Sequence, residues 1–98
     1  MVKYADKEEC GNVSNPEVKG IMRILIIEDD FTMAEAMKKQ IESWGNEVRL
    51  VLDFQNVIHE FIEYDPHMVL IDIMLPFFNG YHWCSEIRKI SDIPVIFI

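Results

Sequence analysis

The chain has 98 residues, room for one domain at most, because single cores usually take about 100 to 150 residues. Half of the residues are apolar and 27% are charged, the balance of a soluble globular protein and not of a disordered or collagen-like one. A formal net charge of -8 repels a phosphate backbone, and no apolar run approaches the roughly 20 residues of a membrane span, so the expectation is a cytoplasmic chain that binds neither DNA nor membrane directly.

From Met1 to Gly20 there is no helical or strand periodicity, and Gly11, Asn12, Ser14, Asn15, Pro16 and Gly20 interrupt whatever might start. Residues 1–21 are therefore expected to be a flexible extension, with translation starting equally well at Met22. Arg23 to Ile27 is apolar at every position after the arginine, the pattern of a strand buried on both faces. Phe31 to Trp44 repeats Ala34, Met37, Ile41 and Trp44 at helical spacing, with Glu35, Lys38, Lys39 and Glu42 on the other face and Gly45 as its stop. Glu47 to Leu52 is a second predicted strand. Val57 to Tyr64 is a short predicted helix burying Val57, Ile58, Phe61 and Ile62, broken by Asp65 and Pro66.

Met68 to Ile73 is a third predicted strand, apolar except at Asp72. A loop from Met74 to Gly80 leads to a helix from Tyr81 to about Ile90, with Cys84 and Ile87 inward, and Pro94 opens a last strand, Val95 to Ile98. The order βαβαβαβ predicts an α/β fold: right-handed crossovers, a parallel sheet and helices on both faces. In such sheets ligands bind outside the carboxyl ends of the strands, where the strand order reverses.

Glu28, Asp29 and Asp30 stand immediately after the first buried strand, and Asp72 near the end of the third. If those strands are neighbours, the carboxylates converge and raise one another's pKa unless a cation neutralises them. A hard divalent ion taking oxygen ligands fits, and Mg²⁺ suits a site with few protein ligands and several waters. A carboxylate is also a competent nucleophile toward phosphorus when a metal screens the phosphoryl charge. Asp72 is the candidate, because a lone charge among apolar neighbours is costly without a purpose. Acids after strands also serve as helix N-caps, which explains Asp30 better and competes evenly for Glu28 and Asp29.

Leu25-Ile26-Ile27-Glu28-Asp29-Asp30, followed by Val69-Leu70-Ile71-Asp72-Ile73-Met74-Leu75-Pro76-Phe77-Phe78-Asn79-Gly80, resembles the receiver domain of two-component response regulators. The resemblance runs from Met22 to Ile98 and implies a flavodoxin-like doubly wound sheet of order 2-1-3-4, the family's fifth strand missing, so that residues 22–98 are a partial receiver domain. It implies that Asp72 is the phosphoacceptor, that Asp29 and Asp72 coordinate Mg²⁺, that the Met74 carbonyl completes the protein ligands, and that Glu28 acts close by or through water. Pro76 and Gly80 shape the loop, one restricting it and one permitting a tight entry to the helix. The implied partner is a sensor histidine kinase, with a homodimer in an intact relative. The family's Ser or Thr after the fourth strand and its Lys after the fifth fall beyond Ile98.

The Glu-Asp-Asp cluster resembles the OmpR type, in which a DNA-binding domain follows and transcription is controlled. Gly80-Tyr81-His82-Trp83-Cys84 with Ile87-Arg88 resembles regulators of the bacitracin-resistance kind. The resemblance thus implies a signalling phosphoacceptor domain and not an enzyme in the ordinary sense. Two other readings compete: a truncated receiver that binds partners without being phosphorylated, and a phosphatase of the haloacid dehalogenase type, which needs an acid where Met74 stands.

His59, His67 and His82 each stand alone and receive no role, Met33, Met37 and Met68 are expected in the core, and Cys10 and Cys84 are expected as reduced thiols. A sheet ending at its fourth strand is expected to expose an unpaired edge and to leave the chain marginally stable or prone to aggregate.

Overall fold

The computed structural model describes residues 3–4 and 21–98, in the element order β1 (Lys3–Tyr4), β2 (Arg23–Ile27), α1 (Phe31–Ser43), β3 (Glu47–Leu50), α2 (Val57–Tyr64), β4 (Met68–Ile71), α3 (Gly80–Arg88) and β5 (Val95–Phe97). The sheet runs β1-β5-β4-β2-β3. β3, β2, β4 and β5 are parallel, which is the anticipated 2-1-3-4 order of a flavodoxin-like sheet.

The fifth position is where the structure departs from expectation. β1 pairs antiparallel with β5, Lys3 opposite Phe97 and Tyr4 opposite Ile96, so the edge expected to stand open is paired over those residues. A two-residue strand carries no periodic signal, which is why the sequence pattern concealed it. Apart from Lys3, Tyr4 and Ile21, the anticipated flexible extension lies outside the described residues.

Ile24 to Ile27 are at most 5% exposed, as a strand covered on both faces requires. On one face Ile24, Ile26 and Val48 pack with Ala34 of α1, supported by Met37, Ile41, Leu50, Met68 and Leu70. On the other, Leu25, Ile27, Val69, Ile71, Val95 and Phe97 pack with Val57 and Phe61 of α2 and Trp83 and Ile87 of α3. Cys84 packs at the margin of this second core.

Local chemistry sets the helix ends. The Asp30 carboxylate caps α1 by accepting the Met33 N–H at 3.1 Å, and Gly45, at φ 94°, turns the chain out of that helix in the left-handed region open to glycine. Asn79 caps α3 by accepting the His82 N–H at 3.0 Å. Asp65, at φ 52°, ends α2 before Pro66.

Three core assignments fail. Trp44 is the C-cap of α1 and 68% exposed, Ile62 faces outward at 62%, and Met33 at 52% lies on the functional face instead of inside. In place of Ile62, α2 buries Glu60, which shares a helical face with Val57. Its Oε2 accepts the N–H groups of Leu52 and Asp53 at 3.1 and 2.9 Å, and its Oε1 meets Arg49 at 3.2 Å. The carboxylate thereby holds the end of β3, which stops at Leu50 and not Leu52. Among the described residues no helix is long and apolar enough to cross a membrane.

Candidate functional site

Strand order reverses between β2 and β4: the chain leaves β2 for β3 on one side and returns to β4 on the other. Ile27 and Ile71 are register partners, so Glu28 and Asp72, each the next residue along, emerge side by side at the carboxyl rim. The Asp72 N–H donates to the Ile27 carbonyl at 2.9 Å, tying the two chain segments together immediately before the site. β4 ends at Ile71, so Asp72 follows the strand instead of lying within it. That placement leaves it half-buried, with one face open to solvent.

Glu28, Asp29 and Asp72 each direct a carboxylate oxygen to one point, the three oxygens lying within 4.8 Å of one another. Glu28 is buried and its Oε2 accepts the Asp30 N–H at 3.1 Å, while Asp29 is exposed. Asp72 Oδ1 accepts the Met74 N–H at 3.3 Å. Burial pushes the Glu28 carboxyl above the usual carboxylate range, against the pull of the Asp30 N–H, and the charges of Asp72 and Asp29 push it further.

Three oxygens at that spacing, one on a carboxyl raised by burial and then by the charges of Asp72 and Asp29, make a set that a hard divalent cation fits. The acids open into a cavity of about 730 Å³ whose apolar wall includes Met33, Met37, Met74 and Ile98. Met33, anticipated in the core, is thus a wall of the site. Asp30, as anticipated, turns its carboxylate to the α1 cap, although it also borders the cavity.

The loop after Asp72 is folded back on it. The Gly80 N–H donates to the Ile73 carbonyl at 2.8 Å, and Gly80 lies against the Asp72 backbone with no room for a side chain. Between them Phe77 adopts φ 69° and the Phe78 N–H donates to the Pro76 carbonyl at 2.8 Å, a γ-turn of the strained, positive-φ kind. The Phe78 ring stacks on His82 at 4.2 Å between centroids and meets Trp83 edge-on at 5.5 Å. His67 lies at the other end of the sheet, where its Nδ1 accepts the Arg23 N–H at 2.8 Å.

The sequence pattern did not disclose Glu60 or the Phe77 turn. The first was masked by the assumption that a helix face buries only apolar residues, and the second because phenylalanine carries no signal for a left-handed backbone.

Residues 24–98 match the family described as response regulator receiver domain. The sensory transduction protein BceR of Halalkalibacterium halodurans is 42% identical over 78 residues, covering 80% of this chain and 34% of that protein. The response regulator protein GraR of Staphylococcus aureus is 36% identical over 77 residues, covering 79% and 34%. Among solved structures, the N-terminal domain of the nisin resistance regulator NsrR aligns with a TM-score of 0.70 at 39% identity, over 76% of this chain and 62% of that one. The response regulator TrrA, in complex with the histidine kinase ThkA, aligns with a TM-score of 0.70 at 25% identity, over 76% and 66%. The chain spans about a third of the length of the curated relatives it matches.

Proposed function

The chain belongs to the response regulator receiver domain family, a signalling and not a classical enzyme family, and from that premise we propose that it accepts a phosphoryl group on Asp72 from a sensor histidine kinase, with Mg²⁺ as its cofactor. The observation that carries this reading is the convergence of the Glu28, Asp29 and Asp72 carboxylates at the switch point of the sheet. A carboxylate oxygen of Asp72 attacks the phosphorus of a phosphohistidine. The new O–P bond forms as the P–N bond breaks, and the leaving imidazole keeps the electron pair and takes up a proton from solvent.

Asp29, Asp72 and the Met74 carbonyl would hold Mg²⁺, with Glu28 bound directly or through water, and the ion would offset the charge on the phosphoryl oxygens. Glu28, buried and hydrogen-bonded to the Asp30 N–H, keeps its place in the acidic cluster. The Met74 N–H, already on Asp72 Oδ1, holds the nucleophile in orientation, and Gly80 lets the loop close against the Asp72 backbone. In a longer protein of the kind the chain partly spans, the phosphorylated receiver would dimerise and control transcription in the cytoplasm through a DNA-binding domain.

The test is an intact-mass spectrum after incubation with Mg²⁺ and a small-molecule phosphodonor, beside Asp72→Asn. One phosphoryl adduct that is lost in the variant and without Mg²⁺ supports the proposal. No adduct on a sample that circular dichroism shows to be folded refutes it.

A further inference from the structure

The apolar wall of the acidic cavity is built largely from thioethers. Met33 and Met37 stand one helical turn apart on the same face of α1, Met74 reaches in from the loop after β4, and all three line the cavity that holds Glu28, Asp29 and Asp72. The backbone at two of them is fixed beside the acids: the Met33 N–H donates to Asp30 Oδ1 at 3.1 Å, and the Met74 N–H to Asp72 Oδ1 at 3.3 Å. Met74 is 77% exposed and Met33 52%, while Met37 is half-buried against the core beneath α1.

A flexible apolar side chain left in solvent beside three carboxylates gains little from burial, so packing does not account for Met33 and Met74. Nor does their exposure depend on any chain beyond Ile98. A phosphodonor has to enter by the same opening to reach Asp72, so that opening stays clear wherever the transfer occurs. What a thioether has, and an aliphatic side chain of similar volume lacks, is a sulfur lone pair that peroxides oxidise.

We infer that Met74 and Met33 are oxidation sites through which peroxides act on the acidic cavity, their conversion to sulfoxides lowering phosphoryl uptake at Asp72. In each, the sulfur lone pair attacks one peroxide oxygen, and the S–O bond forms as the O–O bond breaks. The departing hydroxide takes the proton of the transferred hydroxyl and leaves as water, so sulfur loses the two electrons that the peroxide gains. The sulfoxide oxygen carries partial negative charge and accepts hydrogen bonds without donating any. Beside Asp72 it adds to the negative field of Glu28, Asp29 and Asp72 and opposes entry of a phosphoryl group, itself an anion. Methionine sulfoxide reductases restore the thioether, so the change is reversible. Two other methionines are internal standards: Met22 is exposed but precedes β2, at the opposite end of the sheet, and Met68 is half-buried against the core. The consequence for Asp72 rests on the phosphoacceptor reading, whereas the order in which the thioethers oxidise does not.

The experiment treats the full chain with dilute hydrogen peroxide, re-reduces its thiols with dithiothreitol and maps the sulfoxides by peptide mass spectrometry. Phosphoryl uptake from a small-molecule phosphodonor with Mg²⁺ is then followed by intact mass. Met74 and Met33 should oxidise about tenfold faster than Met68. Uptake should fall about threefold or more in the oxidised chain and return after treatment with methionine sulfoxide reductases. A double variant, Met33→Leu with Met74→Leu, keeps Cys10, Cys84 and Met22; compared only with its own untreated sample, it should show no fall. Oxidation of Met68 ahead of the pair, unchanged uptake in a chain carrying both sulfoxides, or an equal fall in the double variant would each overturn the inference. A fall accompanied by loss of the native circular dichroism would overturn it too, since the cause would be unfolding. No adduct on the folded, untreated chain would instead refute the phosphoacceptor reading, and with it the consequence drawn for Asp72.

Discussion

Gly80 lies so close to Asp72 that a Cβ on the glycine would overlap the Asp72 carbonyl oxygen and stand 2.9 Å from the Ile73 Cα. Both obstacles are backbone, which cannot swing aside as a side chain could. Gly80→Ala should therefore push the loop off the site, costing about 1–3 kcal/mol of stability and slowing phosphoryl uptake by Asp72. Urea unfolding measures the first effect and intact-mass time courses the second; wild-type values in both would show that the close approach is dispensable.

Glu28 supplies a pH dependence. Its carboxyl is raised in the folded state, by burial first and by Asp72 and Asp29 after it, so folding takes up a proton and ionisation of Glu28 opposes folding. The penalty is absent below the ordinary value of 4.5 and grows as pH rises through the raised folded value. Without divalent cations, Glu28→Gln should be more stable than wild type at neutral pH, with the gap closing toward pH 4. Mg²⁺ should raise the thermal midpoint of wild type more than that of Glu28→Gln. Thermal scans across pH with and without Mg²⁺ check both, and a gap that does not vary with pH would contradict the sign.

Glu60 should be the most sensitive charged position away from the site. Glu60→Ala strands the N–H groups of Leu52 and Asp53 and leaves Arg49 with Glu63 alone, a loss of about 2–4 kcal/mol. Glu60→Gln keeps an acceptor and should cost about half as much. Chemical denaturation of the two variants gives the comparison, and equal losses would show that charge, not acceptor capacity, is what the site uses.

Phe77 offers the opposite sign. The residue is 67% exposed, so it brings little burial to offset a left-handed backbone. Phe77→Gly should stabilise the chain by roughly 1 kcal/mol, the relieved strain exceeding the added entropy of glycine in the unfolded state. A lowered denaturation midpoint would mean that the ring makes contacts worth more than the strain.

The alternation of elements and the location of the acids were legible because their signals are local, whereas the strand order was implied only by the family resemblance. Runs such as Ile24 to Ile27 can only be strands covered on both faces, and acids directly after two such runs stand at the rim of the sheet. Asp30 as an N-cap was equally legible, since capping needs only the next three residues. Trp44 and Ile62 were misplaced because helical periodicity names a face but not where the neighbouring layer ends.

By itself, then, the sequence determined the alternation of elements, the parallel sheet and the carboxylates beside it, all consequences of period, burial pattern and capping within short windows. Tertiary structure alone decided which oxygens meet, that Glu60 is held inside by two backbone N–H groups, and that Lys3–Tyr4 covers the edge of β5. Those outcomes depend on groups far apart in the chain competing for the same buried acceptors and the same open edge, and no local pattern records which of them prevails.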